Sequence, residues 1–109
     1  MQFKVRVRYL ANIPKRDWKK PHALKLQGAT DIYEIRFKAN KVEQRPFGYF
    51  GPKNDEFTIL EWATHKQDIY DPSDAIKTAD ERRKLIERGA ARCVPLQIDG
   101  EEFPRAEEC

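Results

Sequence analysis

Apolar and basic positions alternate strictly from Phe3 to Tyr9. Phe3, Val5, Val7 and Tyr9 are apolar, and Lys4, Arg6 and Arg8 lie between them. A period of two marks a strand with one face packed inward, so this segment is predicted as a β-strand that shows three cations to solvent. Such cations suit an edge strand guarded against sheet-to-sheet pairing, or a contact to nucleic acid. Pro14 and Pro21 then frame KRDWKK, read as one short helix starting at Pro14. Within it Trp18 is expected to pack on the core while its lysine neighbours stay solvated. Leu24 and Leu26 lead into a turn at Gly28.

The next stretch, Asp31 to Tyr70, reads as three consecutive strands. Ile32 to Phe37 sets Tyr33, Ile35 and Phe37 on one face, with Glu34 and Arg36 on the other. Ala39-Asn40-Lys41 suits a short hairpin connection. Val42 to Phe50 follows, and Pro46, which cannot donate a ladder hydrogen bond, predicts a bulge or unpaired stretch. Gly51-Pro52-Lys53-Asn54-Asp55 is a turn signal. Phe57 to Ala63 carries apolar residues on both faces, as a central strand covered on each side does.

Asp71-Pro72-Ser73-Asp74 opens a helix, with Asp71 read as its cap and Pro72 at its first position. Ala75, Ile76, Ala79, Leu85 and Ile86 form an uneven apolar stripe, and Gly89 stops it. Arg82, Arg83, Lys84 and Arg88 fall late in the helix, where its dipole favours positive charge. Val94 to Ile98 adds a short extended piece. One domain is predicted over residues 1–98, and residues 99–109 are read as a flexible acidic tail.

With 109 residues the chain can bury one modest core. Charged residues make up 36% of it, and no apolar run approaches the ~20 residues of a membrane span. The opening residues lack the apolar stretch of a signal peptide, so a cytoplasmic protein without membrane partners is expected. Two cysteines, Cys93 and Cys109, are too few for a disulfide scaffold and are expected as unpaired thiols. No CxxC pair or His/Cys cluster suggests a metal, and no cofactor is implied.

Charge changes the picture more. Residues 1–53 hold 13 Lys/Arg against 4 Asp/Glu, whereas residues 54–109 hold 8 against 14. The first half could face a polyanion. The acidic end could screen that surface, although a solvated end is the reading adopted. Arg36, Arg45, His65 and Lys66 recur on or just past the strands, and guanidinium, imidazole and ammonium groups on one sheet face suit phosphate.

The order of these segments resembles a known family. Leu26-Gln27-Gly28, Tyr33-Glu34-Ile35-Arg36-Phe37, Arg45-Pro46-Phe47-Gly48-Tyr49-Phe50, Phe57-Thr58-Ile59-Leu60 and Ala63-Thr64-His65-Lys66 are similar to the RelE/ParE toxin superfamily, closest to its phage-derived, HigB-like branch. Asp74-Ala75, Ala79 and Arg82-Arg83 match the family's last helix, so the resemblance covers about residues 24–88. It implies an α+β fold: a small twisted antiparallel sheet of about four strands, with one or two helices packed on one side. It further implies a toxin of a type II toxin–antitoxin pair, a metal-independent endoribonuclease that cuts mRNA on the ribosome. Its partner would be an antitoxin, expected as a helix-turn-helix protein.

Carried over by position, His65 is assigned to proton transfer, the task its ordinary pKa suits. Arg36 and Arg45 are assigned to the scissile phosphate and Lys66 to charge stabilisation. Tyr70 would orient or stack. Lys38, Lys41, Lys19 and Lys20, with Tyr70, complete the expected RNA-binding set. Two further readings compete with the enzyme. One is a non-catalytic phage or mobile-element protein that binds a host protein or nucleic acid. The other is gyrase inhibition in the manner of the ParE branch.

Overall fold

A computed structural model of the chain describes residues 2–20, 22–27, 31–53, 56–98 and 100–108, without the side chains of residues 104 and 105. Pro21, Gly28, the Asn54-Asp55 half of the turn signal and Cys109 lie outside the described residues.

The chain opens with a helix, not a strand: α1 spans Gln2–Ala11. Phe3, Val7 and Leu10 are buried while Val5 and Tyr9 are exposed. The buried spacing of four and three residues is one stripe of an α-helix, and the strict alternation hid it because Phe3 and Val7 satisfy both periods. The KRDWKK helix is reduced to a single 3-10 turn at Lys15–Asp17. Trp18 follows it and packs against Tyr33, Phe50 and Phe57, its indole N–H donating to the Ile13 carbonyl at 3.0 Å.

The strands are β1 (Ala23–Lys25), β2 (Tyr33–Ile35), β3 (Phe37–Ala39), β4 (Val42–Phe50), β5 (Phe57–Lys66), β6 (Ile69–Asp71), β7 (Val94–Ile98) and β8 (Glu101–Glu108); helix α2 is Ala75–Glu87. They form one sheet ordered β1-β2-β4-β5-β8-β7, with β3 beside β4 and β6 beside β5. All pairings are antiparallel except β5 with β8, which is parallel. The class is α+β, but the expected four-stranded antiparallel sheet is corrected to a mixed sheet of eight strands among the described residues. The expectation missed β1 and β6, which are three residues each and too short to show a period. It also missed β8. The segment read as a flexible acidic tail pairs with β7 and, through Phe57↔Ala106 to Ile59↔Glu108, with the central strand. Phe103 is buried in the core.

Helices also cover both faces, not one. On one face α1 packs with Ala23, Tyr33, Ile35, Phe37, Phe57 and Ile59. On the other, Ala75, Ala79 and Ile86 of α2 pack with Ile32, Phe47, Tyr49, Leu60 and Ala63. Strand β5 feeds both clusters, which is why its apolar residues show no simple alternation. The α2 cap is Asp74, and its side chain makes no capping bond. Asp71 instead ends β6. Gly89 closes α2 with φ +71°, and the Gly89 and Ala90 amides donate back to Ile86 and Leu85.

Pro46 is fully buried in β4, in mid-sheet. The strand on its flank breaks between β2 and β3 at Arg36, whose amide donates instead to the His22 carbonyl at 2.9 Å. A missing donor at Pro46 and a missing ladder residue at Arg36 thus fall together. On the other flank the register slips, from Phe47↔Glu61 to Gly48↔Ile59, leaving Leu60 as an extra residue. The freed Leu60 carbonyl accepts a 2.7 Å bond from Arg82 of α2.

Among the described residues no cysteine is free, which corrects the expectation of an unpaired thiol at Cys93. No described helix is long and apolar enough to cross a membrane.

Candidate nucleic-acid interface

Glu34 organises the α2 face of the sheet. It sits on β2 between two core residues and is buried at 3% exposure. Tyr70 donates to its Oε1 at 2.6 Å. Arg45 Nε approaches the same oxygen at 3.3 Å but is out of line for a hydrogen bond. Arg36 Nε is 4.0 Å from Oε2. Burial and then the bond to Glu34 push the Tyr70 hydroxyl well above its usual range. Arg45 is itself buried, and its Nη1 donates to the Gln44 carbonyl at 2.8 Å and to Glu43 Oε2 at 3.2 Å.

This network backs a cleft of about 430 Å³ lined by Arg6, Lys20, His22, Arg36, Phe37, Lys38, Glu43 and Arg45. It opens where β1 begins, with His22 beside Arg36. Arg6 reaches it from α1, with Nη1 donating to the Arg36 carbonyl at 2.7 Å. Five cationic side chains face one lining carboxylate. Burial would raise the Glu43 carboxyl, but its bond to Arg45 and the charges of Arg45 and Lys38 outweigh that and hold it below its usual range. His22 is held against Tyr9, ring centres 4.4 Å apart, with its Nδ1 buried and unpartnered. Burial, and then the Arg6 charge, lower its pKa, so the neutral imidazole prevails near pH 7.

A second cleft, about 450 Å³, is lined by Lys38, Lys41, Val42, Glu43, His65, Lys66, Gln67 and Asp68. It lies between two hairpin tips. Asn40-Lys41 joins β3 to β4 with φ of 52° and 66°, and Gln67-Asp68 joins β5 to β6 with φ of 52° and 65°. Paired left-handed residues are the geometry of the tight two-residue hairpin turn. The Glu43↔His65 pairing sets the tips side by side.

The residues assigned from sequence therefore divide. Arg36, Arg45, Lys38 and Lys20 line the first cleft; His65, Lys66, Lys41 and again Lys38 line the second. Tyr70 lines neither; it is bonded to Glu34 and its ring is tilted against that of His65, 4.9 Å between centres. Lys19 lines neither; its carbonyl accepts the amides of His22 and Ala23. Arg45 is held in internal ion pairs, and His65 does not share a cleft with the two arginines. His22, Glu34 and Glu43 were missed, and Arg6 was weighed as a nucleic-acid contact only as one of three cations on a strand. The one sequence signal for His22 was a rare histidine directly after Lys19-Lys20-Pro21. Arg6 was assigned to a solvent face by the strand reading. No group of three or more His, Cys, Asp or Glu that could hold a metal occurs among the described residues.

No protein-family model, curated protein or solved structure matches this chain.

Proposed function

We propose that the protein binds single-stranded RNA by its sugar–phosphate backbone, using the cleft between α1 and β3. The observation that carries this reading is the set of Arg6, Lys20, Arg36 and Lys38 around one cavity whose lining holds a single carboxylate, Glu43, while buried Arg45 is spent on Glu34 and Glu43 behind it. Guanidinium groups match phosphate with parallel donors, and ammonium groups add charge without fixed geometry. A cavity of this size admits a nucleotide and not a duplex. Anisotropy of a labelled eight-residue oligouridine tests it. Binding should weaken as salt rises and fall at least tenfold in Arg36→Ala with Lys20→Ala. Wild-type protein that binds no strand, or a double variant that binds as wild type, overturns the reading.

A second reading, metal-independent RNA cleavage by a toxin-like enzyme held by an antitoxin, has one observation in its favour. His22 adds an imidazole, neutral near pH 7, to the wall that carries the guanidiniums. Such a base could take the 2′-hydroxyl proton as the 2′-oxygen bonds to phosphorus and the bond to the 5′-oxygen breaks, with that proton returned to the leaving oxygen and Arg36 meeting the charge on the phosphate oxygens. Cleavage in chelator, lost in His22→Gln, supports it; intact RNA after prolonged incubation removes it.

A further inference from the structure

The two clefts are not separate sites. Lys38 and Glu43 line both, and they face each other in register on β3 and β4. Their side chains meet at 3.5 Å, Lys38 Nζ to Glu43 Oε1, while Glu43 Oε2 lies 3.2 Å from Arg45 Nη1. The Glu43 carboxylate thus stands between a cation of the first cleft and one shared with the second. That is where a phosphate crossing from one cleft to the other would stand.

We infer that the clefts are successive subsites of one track for an extended single strand, with Glu43 occupying a phosphate position at their junction until the strand displaces it. The inference rests on the proposed RNA-binding function and adds the ligand's length and path. Four features support it. Glu43 is 40% exposed and Lys38 61%, so both can turn to water when a phosphate arrives. The second cleft is framed by two tight turns whose left-handed residues leave the tips little freedom, so the subsite is preformed and binding orders little. It also offers Lys41 and Lys66 for phosphate, and Val42, 43% exposed, for the face of a base. Each cleft has the volume of a small-molecule site, so together they suit a few nucleotides in a row.

A length series tests the track. Wild-type protein should bind an eight-residue oligouridine at least tenfold more tightly than the dinucleotide UpU. Lys41→Gln with Lys66→Gln, which keeps unbranched side chains at the turn, should lose that gain and bind UpU as wild type. Glu43→Gln should bind the eight-mer at least threefold more tightly, with its thermal midpoint recorded to show that the fold is kept. If UpU and the eight-mer bind equally, or the lysine pair has no effect on the eight-mer, the track is overturned while first-cleft binding stands. An unchanged affinity in folded Glu43→Gln overturns the junction role. A duplex bound as tightly as the strand also overturns the track. If neither UpU nor the eight-mer binds, the function itself fails, and the track with it.

Discussion

Tyr70 donates to Glu34 across 36 residues of sequence, at 2.6 Å, and joins β6 to β2 behind the basic clefts. Among the described residues, the buried carboxylate it serves is partnered by Tyr70, Arg45 and Arg36. Hydrogen bonds to charged groups contribute roughly 1.5–3 kcal/mol. Tyr70→Phe should destabilise the protein by about that amount, read as a lower denaturant midpoint at unchanged m-value. A midpoint shift under about 0.5 kcal/mol would mean that Glu34 is served by water instead.

Arg45 and Arg36 share one carboxylate but differ in burial, which separates their roles. Arg45→Ala removes the buried cation nearest Glu34, leaving that carboxylate to the Tyr70 hydroxyl and the more distant Arg36, and should cost about 3 kcal/mol. Arg36, whose side chain is 23% exposed and 4.0 Å from Glu34, should cost about 1 kcal/mol or less on truncation while still weakening RNA. Equal stability losses in the two variants would refute this division. An Arg45 variant without RNA binding therefore reports first on folding.

His22 sets a pH dependence of stability. Its folded pKa is lowered from 6.5 by burial and by Arg6, so the unfolded chain takes up the proton more readily. Stability from the neutral ring is fully present above the unfolded value and is lost as pH falls below about 6.5. Denaturant unfolding at pH 7.5, 6.5 and 5.5 should show that decline, and His22→Gln should flatten it. An identical slope in both proteins would show that His22 is not its source.

The N-terminal helix predicts an asymmetry that a strand would not give. In a strand, Val5 and Val7 share a face; in α1, Val7 is buried and Val5 is exposed. Val5→Ser should change stability by less than about 0.5 kcal/mol, whereas Leu10→Ala should cost about 2–5 kcal/mol. Thermal or denaturant unfolding of the two variants checks this.

Arg82 supports the irregular turn of the central strand. Its bond to the Leu60 carbonyl satisfies a group that the register slip removes from the ladder. Arg82→Ala should cost roughly 0.5–1.5 kcal/mol, and Arg82→Lys should recover part of it. Amide exchange at Glu61 and Trp62 should speed up in the alanine variant alone.

How legible each part was depended on how local its cause is. The Asn40-Lys41 hairpin, the both-faced strand at Phe57–Ala63 and the stop at Gly89 are set by neighbours within a few residues, and the sequence carried them. The Pro46 irregularity was also readable, although its position, at Phe47/Gly48, depends on β5. The Phe3–Tyr9 alternation misled because two periods coincide at Phe3 and Val7, and only the packing partners choose between them. The acidic end was misread for another reason. Its polar residues face cations distant in sequence: Glu101 meets Lys4 at 3.2 Å and Arg8 at 2.5 Å. The screening role set aside for this segment is thus realised in part. At the clefts, the chemistry of Arg36, Lys38, Lys41 and Lys66 was visible. That Arg45 is committed to Glu34 and Glu43 was not, because such pairings form only once the sheet is assembled.

The parallel seam between β5 and β8 bears on how the molecule is made. Phe57 pairs with Ala106, so the flank of the longest strand that β8 covers stays bare on the ribosome until residues 106–108 have been made. Strand β7, which among the described residues is bonded only to β8, waits as well. A nascent chain halted near residue 98 would present an unpaired edge, the kind of surface that recruits chaperones or a second copy of itself.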